Sequence, residues 1–195
     1  MPSFHVLIAT IGRASLQTLL DSLLPQLTSI DHVTIVFDGV SAIPMNFGGS
    51  VCKIHVYEEP VKLGFWGHAI RNKYANRLER TDFVMHGDDD DTYLPNSFNR
   101  LRMACINTKT LYVAQMSTPG GILPAPQFKF ITHVKFSNIG TPCGIIPFDY
   151  NSRSEWKPIH GGDYLFYKGL EKILPVKFLN IVIYNVPSWD IKTDT

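Results

Sequence analysis

The chain has 195 residues, with 18 Lys and Arg against 17 Asp and Glu, for a formal net charge of +1. That length suits one domain with its own core, and 45% hydrophobic residues exclude an intrinsically disordered chain. The near-zero charge excludes a nucleic-acid coat or a polybasic membrane binder, because either needs a large cationic excess.

His5–Thr10 (HVLIAT) is a short apolar, β-branched run and reads as a buried first strand, broken by Gly12 and Arg13. No basic segment or long apolar stretch precedes it, so no signal peptide is expected, and no window reaches the roughly 18 apolar residues of a membrane span. Ser15–Leu27 places Leu16, Leu19, Leu20, Leu23, Leu24 and Leu27 at helical spacing, with Ser15 as the expected N-cap. His32–Phe37 and Val51–Tyr57 read as the second and third strands. Trp66–Arg80 reads as a second helix. Asp82–His86 is the fourth strand and leads into Asp88-Asp89-Asp90-Asp91, after which Pro95 is expected to open a helix over Asn96–Ile106.

This order of apolar strands and helices predicts an α/β fold with a mostly parallel central sheet flanked by helices. Such sheets bind ligands at the carboxyl ends of their strands. Thr10–Arg13, Asp38 and the Asp run all fall there. The second half changes character. Thr110–Gln115, Phe128–Phe136, Cys143–Phe148 and Ile181–Tyr184 read as strands and Asp163–Leu174 as a helix. Thr118–Gln127 and Asn151–Gly162 read as loop or irregular stretches. Paired glycines at 120–121 and 161–162 read as turns rather than phosphate cradles. No repeat or linker is visible. Cys52, Cys105 and Cys143 are far apart and odd in number, and read as free thiols in a reducing compartment. The absence of an Asn-x-Ser/Thr sequon agrees with a cytoplasmic location.

Four adjacent carboxylates repel one another, and such a run is often only a solvated loop. Here it sits between an apolar strand and a helix start, at the mouth of the sheet. Hard oxygen ligands there suit Mn²⁺ or Mg²⁺, which keep waters and share phosphate oxygens with a substrate. Arg13, directly after a strand at the same edge, suits a phosphate or ribose contact.

The segment Asp82–Pro95 (DFVMHGDDDDTYLP) resembles the DxD region of GT-A glycosyltransferases, in particular the inverting family-2 type, with Asp88-x-Asp90 and then Pro95 in register. Ala9-Thr10-Ile11-Gly12-Arg13 resembles the Pro-Thr-Tyr-Asn-Arg of that family, with Pro, Tyr and Asn replaced. Phe37-Asp38-Gly39 resembles its Asp-Asp-Gly, with the second Asp kept. Gly64 and Ala69-Ile70-Arg71-Asn72 resemble its Gly…Ala-x-Arg-Asn, and Gly162-Asp163-Tyr164-Leu165-Phe166 resembles its catalytic-base segment.

The resemblance implies a single GT-A catalytic domain over 1–195, with a nucleotide-sugar part to about 110 and a smaller β- and loop-rich acceptor part after it. It implies transfer of a sugar, with inversion, from a nucleotide sugar to an acceptor hydroxyl on a glycan or glycoprotein. A UDP-sugar, such as UDP-glucose or UDP-rhamnose, would be the donor. By the same resemblance Thr10, Arg13 and Asp38 would line the base and ribose, with Asp38 accepting from a pyrimidine N–H. Lys62 and Arg71 would lie near the nucleotide, Asp88 or Asp89 would contact the ribose, and Asp90, with Asp88, would hold the metal. Asp163 would be the general base. Compact GT-A domains of this kind also resemble those encoded by large algal (chlorella) viruses, where one can be the first domain of a longer polypeptide. That kinship would put the protein in the host cytoplasm, as a monomer or a part of a longer chain.

The same residues carry plainer readings. Asp163 could only cap its helix, and Arg71 could be a surface helix residue. Trp156 and His160 could meet an acceptor, with His160 a possible third metal ligand, but they and His68 could equally be packing residues. His86 reads as structural. Asp88-x-Asp90-x-Thr92 also spells the nucleophile motif of haloacid-dehalogenase-type phosphatases, although mid-chain and without their late acid pair. A non-catalytic nucleotide-sugar-binding module is the third reading.

Overall fold

The computed structural model describes residues 1–125 and 133–188. Strands β1 (Phe4–Thr10), β2 (His32–Asp38), β3 (Lys53–Glu59) and β4 (Phe83–Asp88) form a parallel block in the order β3-β2-β1-β4. Every residue of β1 and β2 is buried. That explains why they read as continuous apolar runs: helices cover both faces, so neither face selects polar residues. β3 is the edge of the block and largely exposed, and it starts two residues later than the sequence suggests.

Helix α1 (Ser15–Leu23) buries Leu16, Leu19, Leu20 and Leu23, and a 3-10 turn at Leu24–Gln26 continues it. Ser15 is not the cap: Ala14 holds that position, and no side chain caps the helix. Helix α2 (His68–Tyr74) is much shorter than the 66–80 expected and covers the other face with Ile70 and Tyr74. Pro95 does not open α3 (Ser97–Ala104). Asn96, in the left-handed region at φ 62, intervenes as the N-cap.

Beyond β4 the sheet becomes mixed. Among the described residues, β5 (Thr92–Tyr93), β6 (Leu111–Thr118), β7 (Gly121–Leu123), β8 (Gly144–Pro147) and β9 (Val176–Asn185) complete nine strands in the order β3-β2-β1-β4-β8-β6-β9-β5, with β7 hairpinned on β6. β8 bridges the halves by pairing antiparallel with both β4 and β6. β9 runs parallel to β6 and antiparallel to β5. The stretch read as loop at 118–127 thus contains the short strand β7. The strand expected at 128–136 falls mostly outside the described residues, and residues 133–136 hold no strand. Helix α4 (Gly162–Glu171) buries Phe166, Tyr167 and Leu170. All three cysteines are free and buried. No helix among the described residues is long and apolar enough to cross a membrane.

Candidate functional site

β1, β2 and β4 end side by side, with Ala9 paired to Asp88 and Thr10 to Phe37. Parallel register therefore delivers Thr10–Arg13, Asp38 and the Asp run to one edge. A cleft of about 160 Å³ opens there, lined by Thr10, Arg13, Asp38, Lys62, Asp88 and Asp89 together with Gly64, Trp66, Gly67 and Thr141.

The carboxylates of the run do different jobs. The Asp89 side chain is 3% exposed. It accepts from Thr10 Oγ1 at 2.7 Å and from Arg13 Nη1 at 2.6 Å, so it positions those two side chains at the cleft wall. Thr10 Oγ1 in turn accepts from Gly12 N at 2.9 Å, which folds the 10–13 turn over the strand end. Asp88 and Asp90 are more open, at 29% and 21%. Asp88 Oδ1 accepts from Arg71 Nη2 at 2.5 Å, and Asp90 Oδ2 lies 3.7 Å from Arg13 Nη1. These two partly open carboxylates are hard oxygen donors beside the cleft, which fits a Mn²⁺ or Mg²⁺ ion that takes its other ligands from phosphate and water.

Arg71 is not a surface residue. Its guanidinium is fully buried beneath the cleft and also donates to the carbonyl of Trp66 at 2.7 Å. It reaches Asp88 from α2 because Gly67 lets the helix start close to β1: a Cβ at Gly67 would stand 2.6 Å from Ala9 Cβ. Asp38 is buried and accepts from Leu63 N at 2.6 Å and Gly64 N at 2.8 Å. It pins the segment that bears Lys62, and a base could use only its remaining lone pairs. Lys62 itself is exposed on the cleft wall.

A second cleft, about 500 Å³, shares Trp66 and Thr141 with the first and is lined also by His68, Met116, Tyr164, His160 and Asp163. Asp163 lies in the first turn of α4, and Gly161 at φ 78 is the N-cap. The paired glycines at 161–162 therefore do open a helix. Gly162 allows a close approach, since a Cβ there would meet the Lys157 carbonyl oxygen at 2.3 Å and the His68 ring. Asp163 Oδ1 accepts from Tyr164 N at 2.7 Å. Burial nevertheless raises its carboxyl above the ordinary Asp range, assisted by the Asp88 charge and opposed by Arg71 and His160.

Trp156 does not face an acceptor. It is 2% exposed, stacked on Phe166 with centroids 4.2 Å apart and covered by the Arg71 guanidinium. The aromatic face that Trp156 offers is taken up by Phe166 of α4. His160 is exposed and does line the second cleft. His86 is buried, with Nε2 against Asn151 Oδ1 at 3.0 Å, as a structural residue should be.

Two features escaped the sequence reading. Trp66 stands 44% exposed at the seam of the two clefts. It lies in a run, Gly64-Phe65-Trp66-Gly67, whose four φ angles are all positive (71, 56, 51 and 78). The signal was two glycines bracketing two aromatics before a helix. Tyr184, on β9, accepts from Asp88 N at 2.9 Å and donates to Asp88 O at 3.1 Å, fixing the first residue of the Asp run. Nothing local to Tyr184 reveals that contact.

No family model matches the chain, and no curated protein sequence matches it. Solved structures do. A crystal structure of Staphylococcus aureus TarS residues 1–349 superposes with a TM-score of 0.71 at 17% identity, covering 95% of this chain and 60% of that one. A second, of the same TarS segment in complex with UDP-GlcNAc, gives 0.62 at 15% identity over 95% and 58%. This chain spans about three-fifths of those segments. The fold, a mixed α/β one with a central sheet flanked by helices, is thus similar to that of TarS residues 1–349.

Proposed function

We propose that the protein is a metal-dependent, inverting glycosyltransferase that moves a sugar from a nucleoside-diphosphate sugar, a UDP-sugar first, to a hydroxyl of a glycan acceptor. The observation that carries this reading is the pair of joined clefts, one walled by Arg13, Lys62 and the Asp run, the other lined by the half-buried carboxylate of Asp163. TarS, whose fold this chain shares, has been solved with UDP-GlcNAc, which adds that sugar to UDP-glucose and UDP-rhamnose as donors to try.

In this reading the donor diphosphate lies in the first cleft. Asp90 and the outer oxygen of Asp88 would hold a Mn²⁺ or Mg²⁺ ion there, whose charge would offset that of the diphosphate. Arg13 and Lys62 add positive charge to the same wall. Asp38 is the candidate for the uracil N–H, through the lone pairs its backbone contacts leave unused. Trp66, and not Trp156, offers an aromatic face where the sugar passes from donor to acceptor cleft.

A hydroxyl is a poor nucleophile at neutral pH, and Asp163 would take its proton as the new bond forms. Burial raises its carboxyl above the ordinary Asp range, which makes it a stronger base than an exposed Asp. A single base is what in-line displacement with inversion needs. His160, on the same wall, is placed to orient the acceptor.

The test is titration with UDP and dTDP with and without Mn²⁺, followed by donor turnover with UDP-glucose, UDP-rhamnose and UDP-GlcNAc. Metal-dependent UDP binding, and turnover lost in Asp90→Ala, are the expected results. Binding without turnover would select the non-catalytic module instead. Turnover of an aryl phosphate through a trapped aspartyl-phosphate would select the phosphatase.

A further inference from the structure

A second constellation lies at the amino-terminal ends of the parallel strands, away from the clefts. Register sets His5 beside His32, and Thr34 beside His55. The three imidazoles form a ladder across β1, β2 and β3, with centroids 5.4 Å and then 6.0 Å apart. Glu79, in the connection between α2 and β4, closes over it.

The ladder is not uniform. His5 uses both nitrogens: Nδ1 donates to the Glu79 carbonyl at 2.9 Å, and Nε2 accepts from Thr34 Oγ1 at 2.8 Å. His32 and His55 differ. His32 is buried, and its Nδ1 and the Nε2 of His55 are buried atoms with no hydrogen-bond partner. Both face the Glu79 carboxylate, His32 Nδ1 at 3.3 Å from Oε2 and His55 Nε2 at 3.4 Å from Oε1. The two nitrogens and a carboxylate oxygen all lie within 4.8 Å of one another. Among the described residues, no other trio of His, Cys, Asp or Glu brings its ligand atoms so close.

We propose that His32, His55 and Glu79 form a divalent transition-metal site, of Zn²⁺ type, with a fourth position for water. Two ligands each about 2.0–2.2 Å from a tetrahedral ion stand roughly 3.3–3.5 Å apart, which is the spacing seen from each imidazole to the carboxylate. Two imidazoles and one carboxylate make a borderline donor set that suits zinc rather than Mg²⁺ or Ca²⁺. Burial lowers the pKa of His32, which favours the neutral, metal-binding form. His5, held neutral with a pKa near 4, stacks on His32 and fixes its ring. Lys53 Nζ, 3.2 Å from Glu79 Oε2, is the competing cation, and its exposed side chain is free to swing away. Asp31 adds negative potential near His32. The ion would tie edge strand β3 and the start of β2 to the segment that follows α2. This proposal stands whether or not the chain is a transferase.

The test is Zn²⁺ and Co²⁺ titration of the full chain, read by the d–d absorption of four-coordinate Co²⁺ and by Zn²⁺-induced change in Tm. Wild type should show the spectrum of one four-coordinate Co²⁺ and gain Tm with Zn²⁺. His55→Gln and Glu79→Gln, both partly exposed and tolerant positions, should weaken binding at least about tenfold. Lys53→Gln should tighten it, and Asp90→Asn should leave it unchanged. Equal Co²⁺ spectra in wild type and in folded His55→Gln and Glu79→Gln, no uptake by wild type, or loss of the spectrum in Asp90→Asn would overturn the proposal.

Discussion

Burial acts on Asp163 and on Arg71 in opposite ways. Asp163 has one backbone donor and no cationic partner in hydrogen-bond contact, so desolvation prevails and its carboxyl is raised. A raised carboxyl pKa means the folded chain holds the proton more tightly than the unfolded one. Stability contributed by Asp163 is therefore lost as pH rises from the ordinary Asp value through the raised one. Asp163→Asn should accordingly be no less stable than wild type in thermal unfolding at pH 7. It should lower transfer about 10²–10⁴-fold while UDP affinity stays within twofold or so. In wild type the transfer rate should fall as pH drops through a value above the usual Asp range, and that acid limb should vanish in the variant. Arg71, by contrast, is buried with its charge matched by Asp88 and by the Trp66 carbonyl. Arg71→Met leaves Asp88 without its partner. Because Asp88 is partly exposed, water makes up some of the loss, and we expect a cost of about 2–3 kcal/mol in urea denaturation.

At the scale of elements, the entry to α2 decides the shape of the first cleft. Residues 64–67 all lie in the left-handed region, which Gly adopts freely and Phe65 and Trp66 do not. The strain holds Trp66 out at the seam while Gly67 lets α2 touch β1. Gly67→Ala meets both penalties, the positive φ and the 2.6 Å clash with Ala9, so it should lose about 1–3 kcal/mol and weaken UDP binding. Denaturation and calorimetric titration check the two halves of that expectation. The wall between the clefts has a similar support: Tyr167 donates to the Thr141 carbonyl at 2.5 Å and accepts from Gly144 N. Tyr167→Phe removes both of these hydrogen bonds and should cost about 1–3 kcal/mol in urea denaturation. The existence of α1 is legible from leucine spacing, and α3 and α4 are expected close to where they form. Their caps are not legible. Ser15, Pro95 and Asp163 are all good helix-start residues, yet Ala14, Asn96 and Gly161 occupy the cap positions, because the incoming chain direction fixes which residue leaves the helix.

For the whole molecule, the first cleft is an assembly from distant parts: β1, β2, the 62–67 segment, β4 and the 3-10 turn at Thr141. A ligand that binds only this assembly stabilises all of it at once. UDP with Mn²⁺ at about 100 times its Kd should add about 2.7 kcal/mol, which for a chain of this size is a Tm rise of roughly 5–10 °C. Thermal shift measures it, and Asp38→Ala should abolish it, since the 62–64 segment then loses its anchor.

The sequence by itself determined the parallel block and the edge at which its chemistry sits. Strands buried on both faces must be apolar runs, and a parallel sheet must present its carboxyl ends together, so the positions of Thr10, Arg13, Asp38 and the Asp run follow from pattern alone. The tertiary structure decided what each of those side chains touches. Asp89 turned inward and Asp88 and Asp90 outward, although four identical residues in a row carry no signal to tell them apart. Trp156 was covered and Trp66 left bare, because exposure depends on what packs from far along the chain, here α4 and Phe166. Tyr184 reached Asp88 across 96 residues of sequence for the same reason. Periodicity is written locally, since it needs only the repeat of one helix or strand. Burial, ion pairing and the histidine ladder need the register between strands, and register is set by the sum of contacts that only the folded chain makes.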